Sequence, residues 1–485
     1  MIKKILIVVL VLVVTLVGLF VTFVFPWPAY SYTDFDGRSY YKTAIRAVEE
    51  DAQKSELSSS PGALQAGWGS ALLTPKAGTP LAGYGDRKGK SSTGVHDDVY
   101  AKALALSDGK DMAVLVGTDL LIVPENVADL VRQKVTSQTS LTPSDILFNA
   151  SHDHSGPGAW GPGYAAKQFG GTYDEDVMKA LADGITTAIL DACALLKPAA
   201  VAFGSIQVPE HIRNRTRDSG TVDPELSYMV VQREDGRRCY LASYSAHPTV
   251  LGGGNMEVSG DYPGYLQRYI EGQTGQFAMY LGGAVGSMGP RAPDGPDGFA
   301  KAQAMGESLA KKILAQTDPT KVEPGQASVT PAANPSKVKL NYADHLDIAS
   351  VGVPIPLPPM QLRVTPSLRM SPLFFRMMGI DSDGWIGGVK VGNAVFAGAP
   401  CDLSGELSVE LKQWAEKRGV DLWPLSFNGD YVGYISPDKY YGELREPDGS
   451  PAYETGLMSW CGPHAGAYFT ALIEHVVEAM TPSGA

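Results

Sequence analysis

The chain has 485 residues, of which 44% are hydrophobic, and this is enough for one large or two ordinary domains. The formal net charge of −12 and the lack of any long basic run argue against nucleic acid as a partner. The 54 glycines and 34 prolines favour a loop-rich enzyme over a helical bundle.

The N-terminus predicts a membrane anchor. Lys3 and Lys4 precede an uncharged apolar run from Ile5 to Phe25. As a helix, this run would span roughly 30 Å, the thickness of the hydrocarbon core of a bilayer. The segment Pro26–Tyr30 has no convincing cleavage site, which favours an uncleaved signal anchor over a cleaved signal peptide. We therefore expect residues 1–30 to be a signal anchor, with the lysines inside and the body periplasmic or extracellular.

The rest of the chain alternates between helical and strand patterns. A helix is predicted over Tyr40–Lys54 and a linker over Ser58–Gly62, so residues 31–63 are expected to be a membrane-proximal helix and linker, and residues 64–485 the body. Strands are predicted over Ala101–Leu106, Met112–Val116, Ile146–Asn149, Ala200–Phe203, Tyr228–Gln232 and Tyr240–Tyr244. Helices are predicted over Asn126–Val135, Glu175–Leu196, Tyr262–Gln273, Phe299–Gln316 and Ala467–Met480. This alternation predicts an α/β fold.

A two-histidine motif follows the third of these strands. His152 and His154 stand one residue apart, just before the turn sequence Ser155–Gly158. Neutral imidazole is the commonest metal ligand in proteins, and loops at strand ends often carry functional residues. The motif therefore indicates a metal or catalytic site, with a purely structural pair of histidines as the alternative.

Five further segments place polar side chains at strand ends or in turns. They are Asn214–Arg217, Ser245–Thr249, Gly282–Arg291, Ala399–Glu406 and Tyr431–Glu454. Each has an ordinary structural explanation when it is taken singly. Asp402, for example, could cap an amphipathic helix that includes Leu407–Trp414.

Three segments in the second half of the chain complete the prediction. Asp318–Pro335 is expected to be a loop between two halves of the sheet system. Val351–Met378 is rich in proline and large apolar residues, which is typical of an edge strand plus a packed helix, or of an apolar lid that contacts a membrane. Gly384–Ala397 predicts a β-hairpin that turns at Lys390–Asn393.

Together, the two-histidine motif and the strand-end segments resemble the neutral/alkaline non-lysosomal ceramidase family, the amidases that cleave the N-acyl bond of ceramide. The family pattern T-H-T-H-S-G-P-G-G is similar to Ser151–Gly158, and this part of the match is highly specific. The patterns H-P-x-S/T and P-G-E are similar to His247–Thr249 and Pro400–Asp402. The resemblance runs from about Gly67 to Tyr468 and covers the family's catalytic domain only. It implies an α/β fold with mixed β-sheets flanked by helices.

The resemblance also implies roles for individual residues. One zinc ion (Zn²⁺) is implied, with four ligands: His152, His247, Asp402 and Tyr434. Four residues are implied at the reaction centre: His154, Arg215, Ser287 as the serine of the active turn, and Tyr453 near the oxyanion. Two histidines, a carboxylate and a labile fourth group are typical of a catalytic rather than a structural zinc site. Whether Ser287 attacks the substrate or positions it is left open.

The sequence departs from the family pattern at two of these positions. Asp402 stands where the family has Glu, so its backbone must lie closer to the metal, or Cys401 must substitute. The turn around Ser287 lacks the family's preceding Asp and following Pro. We also expect no counterpart of the family's C-terminal β-sandwich domain.

We therefore expect a membrane-anchored zinc amidohydrolase that converts ceramide, or a similar N-acyl lipid, to a fatty acid and an amine. One alternative is the same metallohydrolase scaffold acting on another amide or ester, such as an envelope lipid or an N-acyl metabolite. A catalytically inactive lipid- or glycan-binding ectodomain is the second alternative, and a serine hydrolase without metal is the third.

Overall fold

The computed structural model describes residues 2–25, 35–54, 61–317, 340–365, 368–380, 382–445 and 449–481. The predictions for Pro26–Tyr30, for most of the linker Ser58–Gly62 and for the whole of the loop Asp318–Pro335 lie outside these residues.

Ten α-helices form within the described parts of the chain. They are α1 (Ile2–Phe23), α2 (Ser39–Ala52), α3 (Glu125–Thr136), α4 (Tyr164–Gly170), α5 (Glu175–Ala194), α6 (Asp261–Thr274), α7 (Gly298–Gln316), α8 (Pro372–Met377), α9 (Gly405–Glu416) and α10 (Ala465–Met480).

The same residues form 23 strands, many of them very short. They are β1 (Val24–Phe25), β2 (Gly62–Ala63), β3 (Gln65–Leu72), β4 (Gly94–Val95), β5 (Tyr100–Ser107), β6 (Met112–Thr118), β7 (Ile146–Ala150), β8 (Lys197–Gln207), β9 (Ile212–Asn214), β10 (Glu225–Arg233), β11 (Arg238–Tyr244), β12 (Glu257–Val258), β13 (Phe277–Gly282), β14 (Met288–Pro290), β15 (His345–Leu346), β16 (Ile348–Pro356), β17 (Leu362–Arg363), β18 (Arg369–Met370), β19 (Asp383–Val391), β20 (Ala394–Gly398), β21 (Asp402–Leu403), β22 (Asp421–Leu425) and β23 (Tyr434–Ile435).

Two mixed sheets form the centre of the molecule. The larger has eight strands in the order β13-β11-β10-β8-β3-β5-β6-β7, with parallel pairs at both ends and antiparallel pairs between them. The smaller has four strands in the order β16-β19-β20-β22. These mixed sheets, flanked by helices, confirm the predicted fold class.

The two sheets pack face to face. One buried cluster joins Leu115 and Leu241 of the larger sheet to Phe396 and Leu425 of the smaller one. Burial of such side chains is the main favourable contribution to folding. The site described below therefore stands on a rigid two-sheet core.

Helices cover the outer faces of both sheets. The larger sheet packs against α3 and α5 on one half and against α6 and α7 on the other, whereas α2, α9 and α10 cover the smaller sheet. Helix α5 lies directly on β3, because a Cβ at Gly67 would lie 2.2 Å from the carbonyl oxygen of Ala192. The sequence alternation that predicted an α/β fold thus reflects helices laid on sheet faces.

The segment Val351–Met378 forms an edge strand and a helix, as the first of its two interpretations predicts. Strand β16 lies at the edge of the smaller sheet, where prolines are tolerated because one side of the strand has no pairing neighbour. Helix α8 follows it. Strands β19 and β20 form the predicted hairpin.

Helix α2 packs into the body rather than lying apart from it. Ala44 and Val48 are fully buried, and Asp51 Oδ2 accepts a hydrogen bond from the Gly352 N–H (3.0 Å). The helix predicted as membrane-proximal therefore contributes to the core of the body. A domain boundary at Leu64 stays a prediction, and it would divide this core.

Helix α1 has the length and apolar composition of a membrane span. Its 22 residues, Ile2–Phe23, have a mean hydropathy of 3.2 in the most apolar window, and none of that window is buried against the rest of the chain.

Candidate metal and catalytic site

Asn149, near the end of β7, joins three strand ends. Its side chain is fully buried, accepts a hydrogen bond from the Gly282 N–H (2.6 Å) and donates to the carbonyls of Gly282 (2.9 Å) and Ser426 (2.8 Å). Although β7 and β13 are the two edges of the larger sheet, their ends meet here. Gly282 permits this contact, since a Cβ there would lie 2.4 Å from the Ala150 carbonyl oxygen.

His152 follows this junction in a left-handed conformation, with φ of 66°. Its Nδ1 lies 2.7 Å from the Leu121 carbonyl oxygen, so Nδ1 carries the proton and Nε2 presents a lone pair. The ring stacks on Phe427 at a centroid distance of 4.3 Å. The turn thus gives the His152 side chain a direction that it would not have in a continuing strand. Packing against Phe427 fixes the orientation of the ring.

His247 is held in the same way, whereas His154 is not. His247 Nδ1 faces the Val285 carbonyl oxygen (3.2 Å), and its Nε2 lies 3.1 Å from His154 Nε2. His154 Nδ1 has no hydrogen-bond partner among the described residues and packs against Gly83, where a Cβ would lie 2.5 Å from it.

The three imidazoles form one buried cluster. One ring nitrogen each from His152, His154 and His247 lie within 4.8 Å of one another. Three such donors at this spacing can hold a metal ion.

Asp402 and Tyr434 approach this cluster on a pair of short parallel strands. They are direct partners in the register of β21 and β23, so their side chains leave the strands on the same side. Asp402 Oδ2 accepts a hydrogen bond from the Tyr431 hydroxyl (2.7 Å). Asp402 Oδ1 lies 3.3 Å from His152 Nε2, and within the described chain neither atom has a hydrogen-bond partner.

Strand β21, which carries Asp402, lies directly against the turn that contains Gly286 and Ser287. The Gly286 N–H donates to the Leu403 carbonyl (2.8 Å), and a Cβ at Gly286 would lie 2.7 Å from the Asp402 carbonyl oxygen. A glycine at this position therefore lets the backbone of Asp402 pack closely against the turn that carries Ser287.

Two alternatives for this segment are wrong. Cys401 is fully buried in the core beside the smaller sheet, and the Asp402 carboxylate rather than this thiol lies beside His152. The cap of α9 is Ser404, whose hydroxyl accepts a hydrogen bond from the Glu406 N–H (3.3 Å), so Asp402 does not serve as that cap.

Ser287 and Arg215 belong to a hydrogen-bond network centred on Glu454. The buried Glu454 carboxylate accepts from Arg215 Nε and from the Ser287 N–H (2.7 Å). Arg215 Nη2 donates to the Tyr434 hydroxyl (3.1 Å), while the Ser287 hydroxyl pairs with that of Ser404 (3.1 Å). Ser287 has φ of 63°, a strained conformation for a residue other than glycine, and this network maintains it.

Sequence reasoning gave Glu454 no role. In the sequence, only its position beside Tyr453, in a segment that resembles the family, could have pointed to Glu454. Its burial and its pairing with Arg215 depend on the folded structure.

A cavity of about 190 Å³ opens beside the histidine cluster. Its wall includes His152, His154, Tyr434 and Tyr453, and the rest is mainly apolar, including Leu121, Ile122, Trp160, Phe169, Ile380 and Trp460. Tyr453 lies on a π-helical turn and is 42% exposed. Arg215 and Ser287 are not part of this wall, and Arg215 reaches it through the Tyr434 hydroxyl.

Burial determines the protonation of the cluster. It lowers the pKa of His152 to about 3 and the pKa values of His154 and His247 well below the usual range, with neighbouring positive groups adding to the shift. The three rings are therefore neutral, which is the form that binds metals. Burial raises the pKa of Asp402 to about 8, and a bound cation would oppose this shift.

The other polar groups of the site have shifts with different causes. Burial lowers the pKa of Arg215, but Glu454, Tyr434 and Asp402 together outweigh this effect and the pKa lies above its usual value. Burial, reinforced by the charge of Asp402, raises the pKa of Tyr434 well above its usual range and that of Tyr453 to about 12. Both phenols are therefore protonated hydrogen-bond donors near neutral pH.

Comparisons with known proteins agree with this picture. Residues 65–285 match the family model described as "Neutral/alkaline non-lysosomal ceramidase, N-terminal". This region of the chain is therefore similar to the N-terminal part of that family. The neutral ceramidase of Pseudomonas aeruginosa is 25% identical over 247 residues, which are 46% of this chain and 36% of that protein. The neutral ceramidase of Mycobacterium tuberculosis is 24% identical over 264 residues, 48% of this chain and 41% of that protein.

Both sequence matches span less than half the length of these ceramidases. The crystal structure of Pseudomonas aeruginosa neutral ceramidase superposes with a TM-score of 0.69 at 17% identity, covering 88% of this chain and 76% of that chain. This likeness establishes a shared fold beyond the matched region.

Proposed function

We propose that this chain is a membrane-anchored zinc amidohydrolase that cleaves the N-acyl bond of ceramide or a similar N-acyl lipid, giving a fatty acid and an amine. The proposal rests above all on one observation: the lone pairs of two fixed imidazoles and an unpartnered buried carboxylate oxygen meet beside an apolar cavity. The match of residues 65–285 to the ceramidase family model, and the similarity to two neutral ceramidases, support the choice of substrate class.

The side chains present fit a zinc ion. His152 and His247 both have Nδ1 against a backbone carbonyl, which fixes the ring and leaves Nε2 for a metal. Asp402 Oδ1 is buried without a hydrogen-bond partner among the described residues, and burying such a group is costly unless a cation or a donor compensates. We assign His152, His247, Asp402 and Tyr434 as the ligands of one zinc ion. When bound, zinc supplies Lewis-acid chemistry and lowers the pKa of a water molecule to about 7.

His154 differs from the two proposed ligands and is assigned to proton transfer. No backbone carbonyl fixes its Nδ1, and the ring lines the cavity. Because the ring is neutral, Nδ1 can take a proton during attack on the amide and return it to the leaving amine.

The developing oxyanion needs hydrogen-bond donors, and the structure limits the choice. The Ser287 N–H already donates to Glu454, so it is not available. Tyr453, which lines the cavity and is protonated, is the proposed donor. Arg215 is proposed to act through the Tyr434 hydroxyl, which it contacts directly.

The apolar wall of the cavity suits an acyl chain. Trp160, Phe169 and Trp460 contribute to it, and burial of a hydrocarbon chain stabilises the complex by about 0.8 kcal/mol for each CH₂ removed from water. Helix α1 would hold the enzyme on the membrane where such lipids reside, with the body periplasmic or extracellular.

The test uses the purified full chain in detergent. Zinc content is measured together with release of fatty acid from ceramide, before chelation, after chelation and after zinc is returned. We expect about one zinc per chain, loss of hydrolysis on chelation and recovery on return of zinc. Hydrolysis that survives complete removal of metal would contradict the proposal.

A matched pair of variants locates the metal. Asp402→Asn should lose zinc and activity together, because the amide is neutral and binds zinc weakly. Asp430 lines the cavity but is not a proposed ligand, so Asp430→Asn should keep its zinc. A panel of N-acyl amino acids and carboxylic esters, run in parallel, identifies the alternative in which the scaffold acts on another amide or ester.

A further inference from the structure

The last turn of the anchor helix is fixed to the segment that precedes α8. Strand β1, which continues α1, pairs antiparallel with β18, so that Val24 stands opposite Met370. The Ser371 N–H donates to the Phe23 carbonyl (3.0 Å), and the Ser371 hydroxyl donates to the Thr22 backbone carbonyl (2.9 Å). The position of α1 therefore determines the position of α8.

Three large side chains beside this junction are exposed. Leu373 and Met377 of α8 are 45% and 66% exposed, and Tyr164 at the start of α4 is 57% exposed. We call these three residues the entry face. Tyr164 and Met377 line an apolar crevice together with Phe23 of α1, Phe374 and Met378, and Leu373 precedes Phe374 on α8. Apolar groups clustered on a surface mark contact with a partner or a membrane.

The crevice and the site cavity are neighbours. Tyr164 and Met378 line the crevice, while the adjoining residues Ala165 and Gly379 line the cavity. The two segments are joined by a hydrogen bond from the Ala165 N–H to the Met378 carbonyl (3.2 Å). A thin wall of backbone thus separates a surface crevice beside the anchor from the candidate reaction centre.

The length of α1 indicates what covers the entry face. A helix of 22 residues spans about 33 Å, close to the thickness of the hydrocarbon core, so its last turn would lie at the bilayer surface. The hydrogen bonds of Ser371 hold α8 at that same level. Tyr164 suits this level, because an aromatic ring with a polar end favours the membrane interface.

We infer that the entry face rests on the bilayer into which α1 inserts, and that an N-acyl lipid reaches the cavity from this membrane through the crevice. This inference rests on the proposed function: the lipid route depends on the proposed hydrolysis, whereas the membrane contact depends only on the proposed anchoring by α1. An enzyme built in this way takes its substrate from its own membrane.

Membrane contact is tested without any activity measurement. In the full chain with Cys193→Ser, Met377→Cys is labelled with an environment-sensitive fluorophore and reconstituted in phosphatidylcholine vesicles that contain a spin-labelled quencher lipid. Leu72→Cys, on β3 and 55% exposed, is the matched control. We expect the label at position 377 to be quenched and the label at position 72 not to be. Equal fluorescence at both positions would overturn the inference.

Delivery of substrate is tested with a second pair of variants. Leu373→Gln/Met377→Gln should hydrolyse ceramide in the same vesicles about tenfold more slowly, because the two glutamines weaken insertion of the face. The same variant should hydrolyse a short-chain soluble ceramide at the normal rate. Leu72→Gln/Leu195→Gln, which alters two exposed leucines elsewhere, should behave as the unchanged chain.

The outcomes separate the two proposals. Equal loss on both substrates, or no loss on either, would overturn the delivery route while leaving ceramide hydrolysis in place. If the unchanged chain hydrolyses neither substrate, the proposed function fails, and the quenching measurement still decides whether the entry face contacts the membrane.

Discussion

At the scale of single residues, the histidine cluster gives chemically identical side chains different surroundings. His152 Nδ1 faces a backbone carbonyl, and His154 Nδ1 has no partner within the described chain. We predict that His154→Gln lowers kcat by about 10²- to 10⁴-fold without loss of zinc, since it removes proton transfer only. His152→Gln should lose zinc as well. Metal analysis of both purified variants checks this, and equal loss of zinc would make His154 a ligand instead.

The Glu454 carboxylate is a second single residue on which the site depends. It neutralises Arg215 and holds the N–H of Ser287. Glu454→Gln should lower the free energy of unfolding by about 3 kcal/mol, because breaking a buried ion pair leaves one charge without compensation.

A more exposed ion pair provides the control for this variant. The Glu443 side chain, which is 32% exposed against 5% for Glu454, pairs with Arg217 in the same region, so Glu443→Gln should lower the free energy of unfolding by clearly less than Glu454→Gln does. Denaturant titrations of both variants measure the difference. Equal effects would mean that Glu454 is no more than a surface partner of Arg215.

At the scale of the elements, the site depends on strand ends that do not neighbour one another in a sheet. Asn149 makes three hydrogen bonds that join the ends of β7, β13 and β22. Asn149→Ala should lower the free energy of unfolding by about 2–4 kcal/mol, because it leaves buried groups of Gly282 and Ser426 without partners. It should also weaken zinc binding, since His152 follows this junction.

An asparagine whose side chain donates one hydrogen bond is the control for this prediction. Asn126 donates one side-chain hydrogen bond, to the Trp160 carbonyl (3.0 Å), from a half-buried position. Thermal unfolding and zinc titration of Asn126→Ala should show a small change in stability and normal affinity for zinc. If both variants behave alike, the junction does not position the site.

At the scale of the whole molecule, the N-terminal segment combines α1, which has the composition of a membrane span, with α2, which packs into the body. Helix α2 buries Ala44 and Val48 against the smaller sheet, and Asp51 accepts the Gly352 N–H. A chain beginning at residue 35 keeps α2 and should unfold near the temperature of the full chain. A chain beginning at Leu64 should unfold at a clearly lower temperature, because it exposes the apolar surface that α2 covers.

Calorimetry of the two shortened chains in detergent measures these midpoints. Unchanged stability of the chain beginning at Leu64 would support a domain boundary at that residue and would mean that α2 is dispensable. Loss of stability in both chains would show that residues 1–34, which include α1, themselves stabilise the fold.

Patterns local to the chain determined much of this protein. Period-two and period-3.6 spacing is a property of neighbouring residues, so the predicted strands, the predicted helices and the hairpin over Gly384–Ala397 were confirmed. The apolar run Ile5–Phe25 likewise predicted a helix with the composition of a membrane span, and the motif at Ser151–Gly158 indicated the family.

Only the tertiary structure decided how distant residues meet. Contacts such as Glu454 with Arg215, or Asn149 with Ser426, join positions more than 200 residues apart, and no local pattern encodes them. The burial of particular side chains and of α2 was also decided only by the tertiary structure. It made the imidazoles neutral, left Asp402 Oδ1 without a partner and placed α2 in the core. Burial of this kind depends on which surfaces pack together, and that is a property of the folded chain as a whole.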